Sequence, residues 1–205
     1  MFRPEKMTKL ALILALLHVC IVALCQSYGT PLSEADARLQ QLKVANANIS
    51  HISANFTTTI TTPLLTAPQY GAGLLTYNRA ADRLALSYTQ PMGDELVIER
   101  GTISITSAGQ TVKASGGSTE QVLSMFKACL TGNFDKLTQK SDVEYYESAS
   151  LFTIVITPQN ARMKKFVQQM TLRFDNNNNL SLMRIDAGNG ESTEYEYTNQ
   201  KITKN

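Results

Sequence analysis

Few residues of this chain have the types and spacing that chemistry needs. His18 lies inside an N-terminal apolar run. That leaves His51 as the one histidine placed to act as a base, and a lone histidine near a helix-to-strand junction is more often a surface or capping residue. H-E-x-x-H, C-x-x-C and G-x-S-x-G are all missing from the sequence, so it proposes neither a zinc centre nor a nucleophile elbow. "SGGST", Ser115 to Thr119, sets two glycines before a predicted helix, where backbone N–H groups can face an anion. The lysine of a phosphate loop is missing there, and Ser118 is explained as a helix cap. "DNNNN" from Asp175 lacks the glutamate and spacing of a calcium loop and suits a turn, because asparagine tolerates left-handed backbone. Tyr195 and Tyr197 alternate with Glu194 and Glu196; they could face a carbohydrate or form the packed side of a last strand. Asn48-Ile-Ser and Asn55-Phe-Thr match the glycosylation acceptor pattern, which matters only in a host that glycosylates exported proteins. The expectation is a protein that is not an enzyme and uses no metal or cofactor.

The first residues bound the rest. Arg3, Lys6 and Lys9 precede the apolar run Leu10 to Leu24 and the polar "QSYG", the three-part pattern of a secretory signal. The run is shorter than the ~20 residues a helix needs to span a bilayer, so residues 1–25 read as a cleaved signal and 26–205 as one exported domain. Ala23 and Cys25 fit the small-residue positions of a cleavage site, giving a mature start at Gln26. The rival is a lipid on Cys25, although Leu24 stands where the lipoprotein pattern has a small residue. Of 19 Lys plus Arg and 17 Asp plus Glu, cleavage removes Arg3, Lys6, Lys9 and Glu5 and leaves a net charge of zero. That excludes the basic footprint of a nucleic-acid binder and a polybasic membrane surface. Cys129 is then the only thiol left; its helical spacing from Val122 and Phe126 predicts a small buried hydrophobe.

The elements follow from periodicity. Ser33 and Asp36 are a possible capping pair before Ala35, Leu39 and Leu42 at helical spacing, predicting a helix over Ser33 to Ala47. From Ile52 the period becomes two, with Ile52, Ala54, Phe56, Thr58 and Ile60 on one face. Leu74 to Arg79 and Arg83 to Gln90 form a hairpin after a loop over Pro63 to Pro68. Further strands are expected at Leu96 to Glu99, Gly101 to Ser107 and Gln110 to Ala114, then a second helix capped by Ser118 and ending before Gly132. Five more strands follow: Val143 to Ser148, Leu151 to Thr157, Val167 to Asp175, Leu180 to Asp186 and Thr193 to Thr198. Short connections favour antiparallel pairing. The predicted class is α+β, mainly β: one strongly curved antiparallel sheet forming an incomplete barrel, with the helices as a lid over its concave apolar face.

The motifs "ISANFT", "GAGLLTYNR", "YTQP", "LVIERG", "CLTGNFDKL", "LFTIVITP", "MTLRFDNNNNL" and "DAGNGESTEYEYTN" occur in that order between Ile52 and Asn199. Together they resemble the periplasmic outer-membrane lipoprotein carriers, the LolA family, over nearly the whole mature chain. The resemblance implies a half-barrel whose cavity takes lipoprotein acyl chains from an inner-membrane ABC exporter and passes them to an outer-membrane acceptor, in a periplasmic monomer. A lipid-anchored acceptor with the same fold is the alternative. Two features depart from the family: Arg79 is followed by Ala80-Ala81 instead of the frequent Arg-Pro pair, and the chain has no Trp.

Parity assigns the lipid-facing wall. Leu75, Tyr77 and Arg79 share one side of their strand, Leu84, Leu86 and Tyr88 one side of the next, and Ile52, Phe56 and Ile60 one side of the first. All are expected on the inner face, although a period of two does not say which side is concave. The resemblance ties Arg79 to a hydrogen bond with backbone carbonyls of the lid. Arg79 as an exposed hairpin residue, and Arg83 as the lid contact, are the competing readings.

Overall fold

The computed structural model describes residues 28–33, 37–115, 125–130, 132, 134, 139–165 and 167–205. The predicted signal, the "SGGST" segment after Ser115 and the first part of the second predicted helix lie outside the described residues.

Along the chain the elements are β1 (Thr30–Leu32), α1 (Ala37–Asn46), β2 (Ile49–Thr61), β3 (Gln69–Asn78), β4 (Arg83–Gln90), β5 (Met92–Glu99), β6 (Thr102–Ser107) and β7 (Gln110–Ser115). They continue with α2 (residues 125–130), β8 (Ser141–Ser148), β9 (Leu151–Pro158), α3 (Ala161–Lys164), β10 (Gln169–Phe174), β11 (Leu180–Asp186) and β12 (Ser192–Lys204). All these strands join one antiparallel sheet in the order β1-β8-β9-β10-β11-β12-β2-β3-β4-β5-β6-β7. The sheet is open, with β1 and β7 as its free edges, so the expected incomplete barrel is what forms.

Register carries one apolar face across the sheet. Ile202, Ile52, Tyr77, Leu84, Ile98 and Ile103 succeed one another from β12 to β6. One rung along, Ala54, Leu75, Leu86, Leu96, Ile105 and Val112 run from β2 to β7. On the other half Tyr145, Ile154, Leu172, Met183 and Tyr195 face the same way. Strands that bury one face and wet the other need this alternation.

Helices α1 and α2 pack on that face. Leu39 and Leu42 of α1 and Met125, Phe126, Cys129 and Leu130 of α2 share one core with it. The predicted helical stripe is therefore real at Leu39 and Leu42, whereas Val44 points to solvent. Asparagine-rich turn chemistry locks α1 in place: Asp175 Oδ1 accepts the N–H groups of Asn177 and Asn179, and Asn178 takes a positive φ of 64°. Arg38 then donates to Asn178 Oδ1 and to the Asp175 carbonyl, and Asn46 Nδ2 donates to the Asn178 carbonyl.

Strand boundaries differ from the reading of the sequence in instructive places. β3 begins at Gln69, five residues earlier than expected, because Gly71 and Gly73 interrupt the apolar alternation without interrupting the ladder. β3 ends at Asn78, so Arg79 lies in the turn beyond it. β1 and α3 have no counterpart in the periodicity; three and four residues are too few to show one.

Candidate functional site

The covered apolar face falls into two parts. Toward the rim formed by the β3–β4 turn, the β10–β11 turn and the chain end, the helices pack it tight. The void between Ile52, Ala54, Leu75, Leu130, Tyr197 and Ile202 is only about 10 Å³, room for a single water at most. Lys127 of α2 closes this rim by an ion pair with Asp82 of the β3–β4 turn, and Arg79 Nη1 donates to the Ala47 carbonyl just after α1 at 3.0 Å.

Toward the opposite rim none of the described helical residues lines the face, which forms a cleft of about 400 Å³. Its wall includes Thr58 and Ile60 of β2, Gly71 of β3, Tyr88 of β4, Leu96 of β5, Ile105 of β6 and Tyr195 of β12. In a flat sheet β12 and β6 stand five strand spacings apart, ~24 Å. They border one cleft only because the sheet curls around it. Thr58 is 3% exposed and marks the deep end, while Ile105 is 51% exposed and marks the open end. Leu64, in the loop before β3, and Met92, at the start of β5, are almost wholly exposed on the same rim.

Two glycines shape the floor. A Cβ on Gly73 would stand 2.6 Å from Phe56 Cζ and 2.3 Å from the Ser87 carbonyl oxygen; one on Gly71 would stand 2.5 Å from Thr58 Oγ1. These notches let the Phe56 ring lie edge-on against Tyr88, centroids 5.0 Å apart, and against Tyr195 at 6.0 Å. The hydroxyls of Tyr88 and Tyr195 then meet across two intervening strands and share a hydrogen bond at 3.3 Å. Burial raises the pKa of Tyr88, against which the Tyr195 hydrogen bond acts, and burial raises that of Tyr195 further. Both stay protonated hydroxyls at neutral pH.

The structure places the wall residues read from the sequence as follows. Ile52, Phe56, Leu75, Tyr77, Leu84 and Leu86 are buried in the common core, on the side the helices cover. Ile60 and Tyr88 border the open cleft. Arg79 is exposed, at the closed rim away from the cleft mouth. The sequence reading missed Thr58, Gly71, Leu96, Ile105 and Tyr195 as parts of one wall. The signal available was "GAG" within a strand, since glycine there marks close approach of another group. His51 pairs with Asn78 and Thr203 on the strand face away from the core, and no group of metal-binding side chains exists among the described residues. Cys129 is buried with its Sγ 3.3 Å from Met170 Sδ, and burial pushes its thiol pKa far up, as a packing residue requires.

An open, curled antiparallel sheet with helices over part of its apolar face and a cleft over the rest is the architecture of a protein that holds an apolar ligand. Residues 47–205 match the family model of the outer membrane lipoprotein carrier protein LolA, and the chain belongs to that family. No curated protein matches the chain. Among solved structures it is similar to an uncharacterized conserved protein from Thermus thermophilus, with 9% identity, 82% of this chain and 87% of that one covered, and a TM-score of 0.48. It is also similar to a putative outer membrane lipoprotein-sorting protein domain from Vibrio parahaemolyticus (9% identity, 80% and 90% covered, TM-score 0.41). A third is the Mycobacterium tuberculosis lipoprotein LppX (13% identity, 82% and 96% covered, TM-score 0.40).

Proposed function

We propose that the chain is a periplasmic carrier that binds acyl chains of lipoproteins and moves them from the inner to the outer membrane. The observation that carries this reading is the cleft of about 400 Å³ on the part of the apolar face that no described helical residue lines. A chain atom takes roughly the ~30 Å³ share of a water molecule, so the cleft holds on the order of a dozen atoms of one acyl chain. At ~0.8 kcal/mol per CH₂ that burial is worth on the order of 10 kcal/mol. The remaining chains of a multiply acylated cargo need more room, and the six core residues Ile52, Phe56, Leu75, Tyr77, Leu84 and Leu86 supply it when the helices lift from the sheet. Arg79 and the Lys127–Asp82 pair hold the helices down on the β3–β4 side, as the Arg38 and Asn46 bonds do on the β10–β11 side. The Arg79 bond is exposed and the Lys127–Asp82 pair part-buried, each small beside the burial of an acyl chain, so cargo can override them.

In this reading residues 1–25 are removed on export and 26–205 form the working domain, without enzymatic activity. Cargo arrives from an inner-membrane ABC exporter and leaves to an outer-membrane acceptor. Among the described residues no helix is long and apolar enough to cross a membrane. Purification of the protein from periplasm, followed by mass spectrometry of the mature N-terminus and of bound material, tests this. Acylated lipoproteins on a chain starting at Gln26 are expected. A diacylglyceryl group on Cys25 makes the protein an anchored acceptor instead, and a chain without bound lipid or lipoprotein counts against both.

A further inference from the structure

Inside the cleft, polar groups are distributed unevenly. Asp94 and Glu95 border it, and both carboxylates are already engaged: Asp94 accepts from the Ser107 hydroxyl and the Ala108 N–H, and Glu95 from the Ser87 hydroxyl. No lysine, arginine or histidine is among the described residues of the wall. At the deep end the polar groups are hydroxyls, those of Thr58, Tyr88 and Tyr195. When two tyrosine hydroxyls share one hydrogen bond, one O–H is used as donor and the other keeps its hydrogen free. The Tyr88–Tyr195 pair thus presents one unused O–H donor beside the apolar side chains of Ile60, Leu96 and Ile105, while Gln69, Tyr70, Thr106 and Ser107 add polar groups elsewhere on the wall.

An anionic ligand would meet two carboxylates and, among the described residues of the wall, no cation, so a single tyrosine O–H is all that would offset its lost hydration. A bare hydrocarbon would fill the space but leave the tyrosine donor unpaired in an apolar site. A neutral acyl carbonyl satisfies both conditions, since it carries no charge and accepts one hydrogen bond. We infer that the cleft selects long-chain esters and amides over free fatty acid anions and over plain alkanes, with the Tyr88–Tyr195 hydroxyl pair donating to the acyl carbonyl oxygen. The carbonyl then sits at the tyrosines, with the methylenes against Ile60, Leu96 and Ile105. Because burial holds both phenols protonated, the donor persists through neutral and mildly alkaline pH. The inference rests on the acyl-carrying function proposed above and adds the chemical class that the site prefers.

Calorimetric titration of the purified protein with methyl decanoate, decanoate and tridecane at neutral pH tests it. The ester is expected to bind ~5-fold more tightly than the alkane, the gain of one ordinary hydrogen bond. It should bind at least ~10-fold more tightly than the carboxylate, whose desolvation no cation among the described wall residues offsets. The double variant Tyr88→Phe/Tyr195→Phe should bring the ester-to-alkane ratio to about one, whereas each single variant keeps one O–H and keeps the preference. Equal binding of ester and alkane by the natural protein, a ratio retained by the double variant, or decanoate bound as tightly as its ester would each overturn the inference while leaving the carrier function standing. Failure of all three compounds to bind would remove the carrier function itself, and the inference with it.

Discussion

Gly73→Ala is the substitution whose effect the geometry sets most tightly. Its Cβ would stand 2.3 Å from the Ser87 carbonyl oxygen of β4 and 2.6 Å from Phe56 Cζ. The first neighbour is backbone, held in the β3–β4 ladder by pairs on both sides, so it cannot rotate away. Relief requires β3 and β4 to part locally and the Phe56 ring to swing toward Tyr88 and Tyr195. Overpacking of this kind costs ~1–3 kcal/mol, and a rigid backbone neighbour puts it near the top of that range. Replacing glycine also restricts the unfolded chain, which returns ~0.4–1 kcal/mol. A net loss of about 2 kcal/mol lowers the melting temperature of a domain this size by ~4–8 °C. Gly71→Ala provides the comparison, because its closest neighbour is the end of a short side chain, Thr58 Oγ1 at 2.5 Å; it should cost less. Thermal unfolding followed by circular dichroism reads both. Because Phe56 moves into the floor of the cleft, Gly73→Ala should also weaken binding of a fluorescent acyl probe. A Gly73→Ala protein that melts within a degree of the natural one, or at a higher temperature than Gly71→Ala, would refute the packing argument.

Three further outcomes are expected. Arg79→Leu removes the hydrogen bond from Nη1 to the Ala47 carbonyl; in a reconstituted transfer assay the variant should still take up lipoprotein but deliver it poorly to an acceptor, and normal delivery would take Arg79 out of the mechanism. Burial raises the pKa values of Tyr77, Tyr88, Tyr195 and Tyr197. Their stabilising effect is complete below the unfolded value of ~10 and is lost as pH rises toward and through the folded values. Stability in denaturant titrations should therefore be level near neutrality and fall above pH ~10, by ~1.4 kcal/mol per pH unit for each phenol still protonated in the fold; a level profile there would contradict the burial. Cys129, enclosed beside Met170, should resist a thiol reagent in the native protein and react fully in denaturant. Rapid native labelling would show that α2 opens from the sheet far more often than its packing implies.

Much of the architecture was legible because each strand carries its own period. Ile52, Ala54 and Phe56, and Leu84 and Leu86, alternate cleanly, and the structure buries all of them on one face. Legibility failed where an element is short, as at β1 and α3, or where glycine stands in for an apolar residue, as at Gly71 and Gly73 of β3. Arg79 shared the parity of Leu75 and Tyr77 in the sequence, but the strand stops one residue before it and the turn carries it to the surface. The cleft was the least visible part. Thr58, Leu96, Ile105 and Tyr195 come from four strands, and only register and curl bring them to one wall. No local pattern tells a residue packed under a helix from one left facing an open cleft. The division between Leu75 in the core and Ile105 at the mouth depends on which strands the described parts of α1 and α2 pack against, which is a property of the whole fold.

Site-specific photocrosslinking in the living cell tests the central claim most directly. A photoreactive phenylalanine analogue at Ile105 faces the cleft, whereas one at Lys113 stands on the opposite face of the same sheet edge, paired with Ser104. The account predicts that the probe at 105 captures acylated lipoproteins and that the probe at 113 does not. Equal capture at both positions, or capture at 113 alone, would contradict it.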